Sequence, residues 1–184
     1  ILSNKGSSSG NIGYALEIEN GVVLARFCTA SAGYDRSAKG TISCADGNWH
    51  MIVGTWDRNG YMRSYLDGNL ESSYDISYWS SESLASSYND TIAAKAGGST
   101  NHWPGELGGI VVVPYVLTQE DIQAIYNHTL FDYDHHLVSH WDMSDYNPPD
   151  IGWKGNGNDG AGVNMDSSNI VDAVSYTHLT LPTN

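Results

Sequence analysis

Asp46-Gly-Asn-Trp-His-Met-Ile-Val-Gly-Thr-Trp-Asp57, continued by Arg58-Asn-Gly-Tyr-Met-Arg-Ser-Tyr-Leu-Asp-Gly68, is the stretch on which the fold turns. Asp46-Gly47 opens a turn, and Asn48 to Trp56 reads as a strand. Asp57-Arg-Asn-Gly60 is a hairpin turn in which Asn-Gly is expected to supply positive φ. Tyr61 to Leu66 returns, and Asp67-Gly68 turns the chain again toward Leu70. Two turns one strand apart make a meander, and a meander means neighbouring antiparallel strands.

Toward the N-terminus, Tyr14-Ala-Leu-Glu-Ile-Glu-Asn20 sets Leu16 and Ile18 on one face and Glu17 and Glu19 on the other. That period-two alternation predicts a half-buried strand. A turn at Gly21 leads into Val22 to Cys28, then a polar loop from Thr29 to Gly40, then Thr41-Ile-Ser-Cys44. Toward the C-terminus, residues 71–105 are rich in Ser and Tyr and predict long surface loops around a short strand from Thr91 to Ala96. Leu107 to Val116 is an apolar strand whose Pro114 places that end at an edge or bulge. Thr118 with Asp121 caps a short helix whose apolar face is Ile122, Ile125 and Tyr126. A connector from Phe131 to His136 follows, then a strand from Leu137 to Met143 and the turn-rich Gly155-Asn-Gly-Asn-Asp-Gly160. Ser175 to Asn184 shares none of this character and reads as a non-native tail.

Composition narrows the function classes. The 184 residues suffice for one good-sized domain and its core, or one domain plus part of another. Charged residues are only 16% and there are 20 Gly, the balance of many short strands joined by turns. Six Trp and twelve Tyr argue against disorder. With 8 Lys+Arg against 21 Asp+Glu, the net charge is −13, and no basic cluster offers itself to nucleic acid or an anionic membrane. No apolar run reaches membrane-span length, so membrane insertion is not expected. The chain opens at Ile1 without Met, so a missing secretory signal carries no information.

The segment Asp46 to Asp57 with Tyr65-Leu-Asp-Gly68 resembles the laminin-G-like (concanavalin A-like jelly-roll) superfamily: a turn, Trp-His, an alternating strand, a hairpin and a strand ending in Asp-Gly. Trp103 to Tyr126 is similar to that family's closing strand and terminal helix, so the resemblance spans roughly residues 1–130. It implies an all-β, antiparallel two-sheet jelly-roll sandwich with one short C-terminal helix. The family normally has several strands before the position of Ile1, while Leu137 to Met143 with Gly155 to Gly160 is similar to the way such domains begin. Residues 131–174 are therefore the start of a second similar domain, or strands that complete a sandwich or are donated to one. A fragment of a tandem array, a circular permutation and strand donation between chains all stay open. A rim Ca²⁺ is what the resemblance implies, with no ligand set assignable; Asp/Asn-rich turns abound, but none has a calcium loop's spacing.

Candidate chemistry was weighed residue by residue. Glycosidase relatives need carboxylates spaced along a strand face. Glu17 and Glu19 share a face, but Gly21 occupies the third position, so a solvated face is the better reading and no catalytic residue is assigned. Asp132, Asp134, His135 and His136 read as a linker rather than a metal site. Trp49, Trp56, Tyr65 and Trp141 alternate on strands and read as core. Trp79, Tyr88, His102 and Trp103 sit in polar loops with Asn89, Asp90 and Asn101, where rings could stack on sugar faces and polar groups meet hydroxyls; loop aromatics that cap the sandwich are the alternative. Cys28 and Cys44 would lie across from one another if a hairpin tip fell near Arg36, giving a disulfide; two free buried thiols are the alternative.

These readings converge on a non-catalytic carbohydrate-binding or adhesion module, on a secreted protein, cell surface or virion, with a glycan or surface protein as partner. The rival is a virion decoration or filament subunit that binds copies of itself.

Overall fold

Hydrophobic alternation and turn chemistry are realised as two layers of sheet in a computed structural model. It describes residues 2–5, 11–33, 35–94 and 101–127, with the backbone alone of 139–141 and 176–180. The first layer has the order β4-β3-β2-β1-β8, made from Arg36–Ser43, Val22–Cys28, Gly13–Glu19, Leu2–Ser3 and Thr91–Ile92. Its strand pairings are antiparallel, and β2 lies between β1 (Leu2↔Leu16) and β3 (Leu16↔Ala25).

The decisive stretch forms the meander β5-β6-β7, Ile52–Trp56, Tyr61–Leu66 and Asn69–Asp75. β9, Gly109–Val113, pairs antiparallel with β10, Ser139–Trp141, and parallel with β11, Tyr176–Thr180. The stretch read as a tail thus supplies a strand, although its side chains, like that of Trp141, lie outside the described residues. So do Asp132, Asp134, His135, His136 and the 155–160 turn string.

The core lies between the layers. Tyr14, Leu16, Val23, Ala25 and Phe27 meet Ile52, Trp56, Met62, Leu66, Ile110 and Val112. The opposite side chains of the second layer, Val53, Tyr65, Val111 and Val113, are buried as well, because helix α1 (Gln119–Tyr126) covers them with Ile122 and Ile125. That explains why β5 is buried at every residue rather than at alternate ones. Thr118 and Asp121 cap the helix reciprocally, as the sequence predicts, while Tyr126 stays 44% exposed rather than joining the apolar face.

Several expectations need correction. Asn59-Gly60 is not left-handed. The turn is closed by Gly60 N–H donating to Asp57 O at 3.0 Å, with the Asp57 carboxylate accepting from Asn59 N–H. Positive φ falls instead at Asn20-Gly21 and Asp67-Gly68, the two-residue hairpins. β4 begins at Arg36, so the polar loop ends there, five residues before Thr41. Phe27 pairs with Arg36 while Val22 pairs with Ser43. Cys28 therefore sits by the hairpin tip, and Cys44 at the far end, where its N–H donates to Gly21 O at 2.8 Å. Six strand residues at ~3.3 Å each separate the two ends by roughly 20 Å, far beyond disulfide reach. Both cysteines are free.

The Glu17/Glu19 face is not simply solvated. Arg26 forms ion pairs with Glu17 and, at 2.8 Å, with Glu19, and its Nη1 lies 3.6 Å from Asp35, which also meets buried Lys5 at 3.1 Å. Glu17 is consequently buried.

Candidate functional site

Segments from three connections meet at one end of the sandwich: the residue after β4, the turn before β5, and the loop leading into β9. Together with the end of β2 they line a shallow open cleft of about 70 Å³. Ile18, Cys44, Ile52 and Leu107 give it an apolar floor. Two indoles, Trp49 and Trp103, and three polar side chains, Asn48, His50 and Glu106, complete it.

Each wall is held by local bonds. Trp103 N–H donates to Ala93 O at 2.6 Å, and its Nε1 donates to Glu106 O at 3.1 Å. The indole folds over Gly105 so closely that a Cβ there would lie 2.9 Å from Nε1, which is why glycine occupies the position. On the other wall the Asp46 carboxylate accepts from the Asn48 backbone N–H and from Asn48 Nδ2, both at 2.9 Å. Trp49 is left 43% exposed beside this turn.

His50 ties that turn to the next one. Its Nδ1 lies 2.8 Å from Asp67 Oδ2 and its Nε2 2.9 Å from Asp46 Oδ1, while Asp67 Oδ1 accepts from Met51 N–H. A neutral imidazole carries one N–H, so carboxylates at both nitrogens call for the imidazolium. Burial alone would lower the pKa of His50, but the bonds to Asp46 and Asp67 outweigh it and raise the value above the ordinary one. Asp46 is held well below the usual carboxylate range, first by His50 and then by Asn48.

The consequence is a pH-dependent clamp. Because the folded-state pKa of His50 lies above its unfolded value of ~6.5, the clamp stabilises the fold fully below that pH. The contribution is lost as pH rises through the folded-state pKa. In thermal melts at increasing pH, the gap between the protein and His50→Gln should shrink; a gap that widens would contradict the clamp.

The structure sorts the sequence candidates. Trp103 reaches the cleft, whereas its exposed neighbours Asn101 and His102 do not line it. Trp79 takes the capping alternative: it lies in a 3-10 turn, half-buried against the core, 6.1 Å from the Phe27 ring and 5.0 Å beneath the Arg36 guanidinium. Tyr88, Asn89 and Asp90 are exposed outside the cleft, and Asp90 accepts from the Tyr14 hydroxyl at 3.1 Å. Trp49 is corrected, from core to cleft wall, since β5 begins only at Ile52. Asn48, His50 and Glu106 were not picked out by the sequence; the Asp46-Gly47-Asn48 turn was the available signal that Trp49 stands at a loop–strand junction. Among the described residues no group of three or more His, Cys, Asp or Glu is arranged to hold a metal ion.

A family model of laminin-G type, described as the concanavalin A-like lectin/glucanases superfamily, matches residues 1–123. The chain belongs to the concanavalin A-like superfamily. The matched span runs from β1 into α1 and contains every cleft residue, so the cleft is part of the concanavalin A-like domain itself. Comparison with curated proteins and with solved structures gave no match.

Proposed function

We propose that the chain is a carbohydrate-binding module that holds a glycan in the Trp49–Trp103 cleft without cleaving it. The observation that carries this is two indoles on one apolar-floored cleft, with Asn48 and Glu106 beside them. Sugar rings offer C–H faces to indoles and hydroxyls to amides and carboxylates. The family supports a carbohydrate-binding or adhesion role. Binding without hydrolysis is supported by Glu17 and Glu19, which are both engaged by Arg26 rather than facing a substrate groove. An extracellular or surface setting is part of the proposal. Laminin-G-type domains are typically found there, and among the described residues no helix is long and apolar enough to cross a membrane.

A glycan array followed by calorimetry on its hits tests the reading. Trp49→Ala and Trp103→Ala should each weaken binding about tenfold, equivalent to ~1.4 kcal/mol. Tyr88→Ala, outside the cleft, should leave it unchanged. Binding that survives both indole substitutions removes the cleft from consideration.

A further inference from the structure

We propose that this cleft, granted the glycan reading above, prefers amino sugars and turns away acidic ones, with Glu106 as the specificity-determining residue. Most polar groups of the cleft walls are already engaged within the protein. Trp103 Nε1–H is occupied by Glu106 O at 3.1 Å. Both His50 nitrogens are occupied by carboxylates, at 2.8 and 2.9 Å, and Asn48 Nδ2 by Asp46 at 2.9 Å. The donors left over are neutral: the Trp49 indole N–H and the second amide hydrogen of Asn48. The acceptors left over include a full charge, the Glu106 carboxylate, on an exposed side chain.

Charge points the same way. Among the described residues, no Lys or Arg lines the cleft. The His50 imidazolium is already shared between Asp46 and Asp67, so it cannot compensate Glu106 as well. A sulfate or uronate entering here would give up hydration and meet no free cation among the described residues, inside a chain whose net charge is −13. A sugar ammonium would exchange some of its hydration for a charge-assisted bond to Glu106. An exposed pair of this kind is worth about two- to fivefold in affinity.

The test is calorimetry at physiological salt and mildly acidic pH, where the sugar amine is charged. The ligands are a glucosamine oligomer, its N-acetylated counterpart and a sulfated counterpart of equal length. Expected are about two- to fivefold tighter binding of the amine form than of the acetylated one, and no binding of the sulfated one. Glu106→Gln should abolish the difference between the amine and acetylated forms.

Equal affinity for amine and acetylated forms overturns the proposal, and so does binding of the sulfated form. A preference that persists in Glu106→Gln overturns it too, because attraction to an acidic chain as a whole does not need that residue. Trp49-dependent binding of the acetylated form with no amine preference would defeat this inference alone. Failure of every oligomer to bind would defeat it together with the glycan reading.

Discussion

Trp56→Ala should cost about 3–5 kcal/mol of folding stability, the range for removing a fully buried large aromatic. The Trp56 side chain is wholly inaccessible to solvent and stands where the two layers meet. It packs 5.7 Å from the Tyr14 ring, and its Nε1 donates to Arg26 O at 3.0 Å, joining the second layer to the first. Its ring also fills the space above Gly54, where a Cβ would lie 2.7 Å from Cη2. Truncation therefore opens a cavity between the sheets and removes the side-chain bond to Arg26 O. Trp56→Phe keeps most of the volume and loses the bond, so it should be destabilised by clearly less. Denaturant melts with an unchanged slope check both; a loss under about 1 kcal/mol for the alanine variant would mean the layers do not meet there.

Arg58→Ala is the second large effect, at about 3 kcal/mol. Arg58 is only 4% exposed, although it sits in a hairpin turn between β5 and β6. Its Nη2 donates to the carbonyls of Trp79 and Glu82, each at 2.6 Å, and of Ser80 at 3.3 Å, and the guanidinium lies 5.3 Å from the Phe27 ring. One side chain thus ties down the 3-10 turn after β7. Removing it takes away charge-assisted bonds to these carbonyls, each worth ~1.5–3 kcal/mol before relaxation, although Trp79 O keeps the Glu82 N–H at 3.0 Å. Lys keeps the charge but not the planar fork, so Arg58→Lys should recover less than half of the loss. Faster proteolysis between Trp79 and Ala85 should accompany either substitution. Stability within about 0.5 kcal/mol of the parent for Arg58→Ala would contradict this role.

The β5–β6–β7 meander was legible because alternation and turn residues agree locally, and local agreement is what a sequence displays best. The helix was legible for the same reason: Thr118 and Asp121 are three residues apart and need no distant partner. What the sequence hid depends on register and on distant contacts. The positions of Cys28 and Cys44 follow from where β4 begins and from a bulge between Val22 and Leu24, neither of which has a residue signature here. Whether Trp79 caps the sandwich or faces a ligand stayed open because nothing in residues 71–90 announces that Phe27 and Arg36 will be its neighbours. Trp49 looked like core because the strand reads as beginning at Asn48, four residues before β5 does; the bonds of His50 to two turns occupy that stretch instead. The cleft is accordingly the part least visible beforehand: of its two indoles, one was anticipated as a binding residue and the other was assigned to the interior.

Chemical-shift mapping of a bound oligosaccharide reaches the functional claim most directly. The indole N–H signals of Trp49 and Trp103 and the side-chain amide of Asn48 should move together on titration, while those of Trp56 and Trp79 stay in place. Shifts centred on Tyr78, Trp79 and Tyr88, with the Trp49 and Trp103 signals undisturbed, would put the ligand on a different surface and contradict the account.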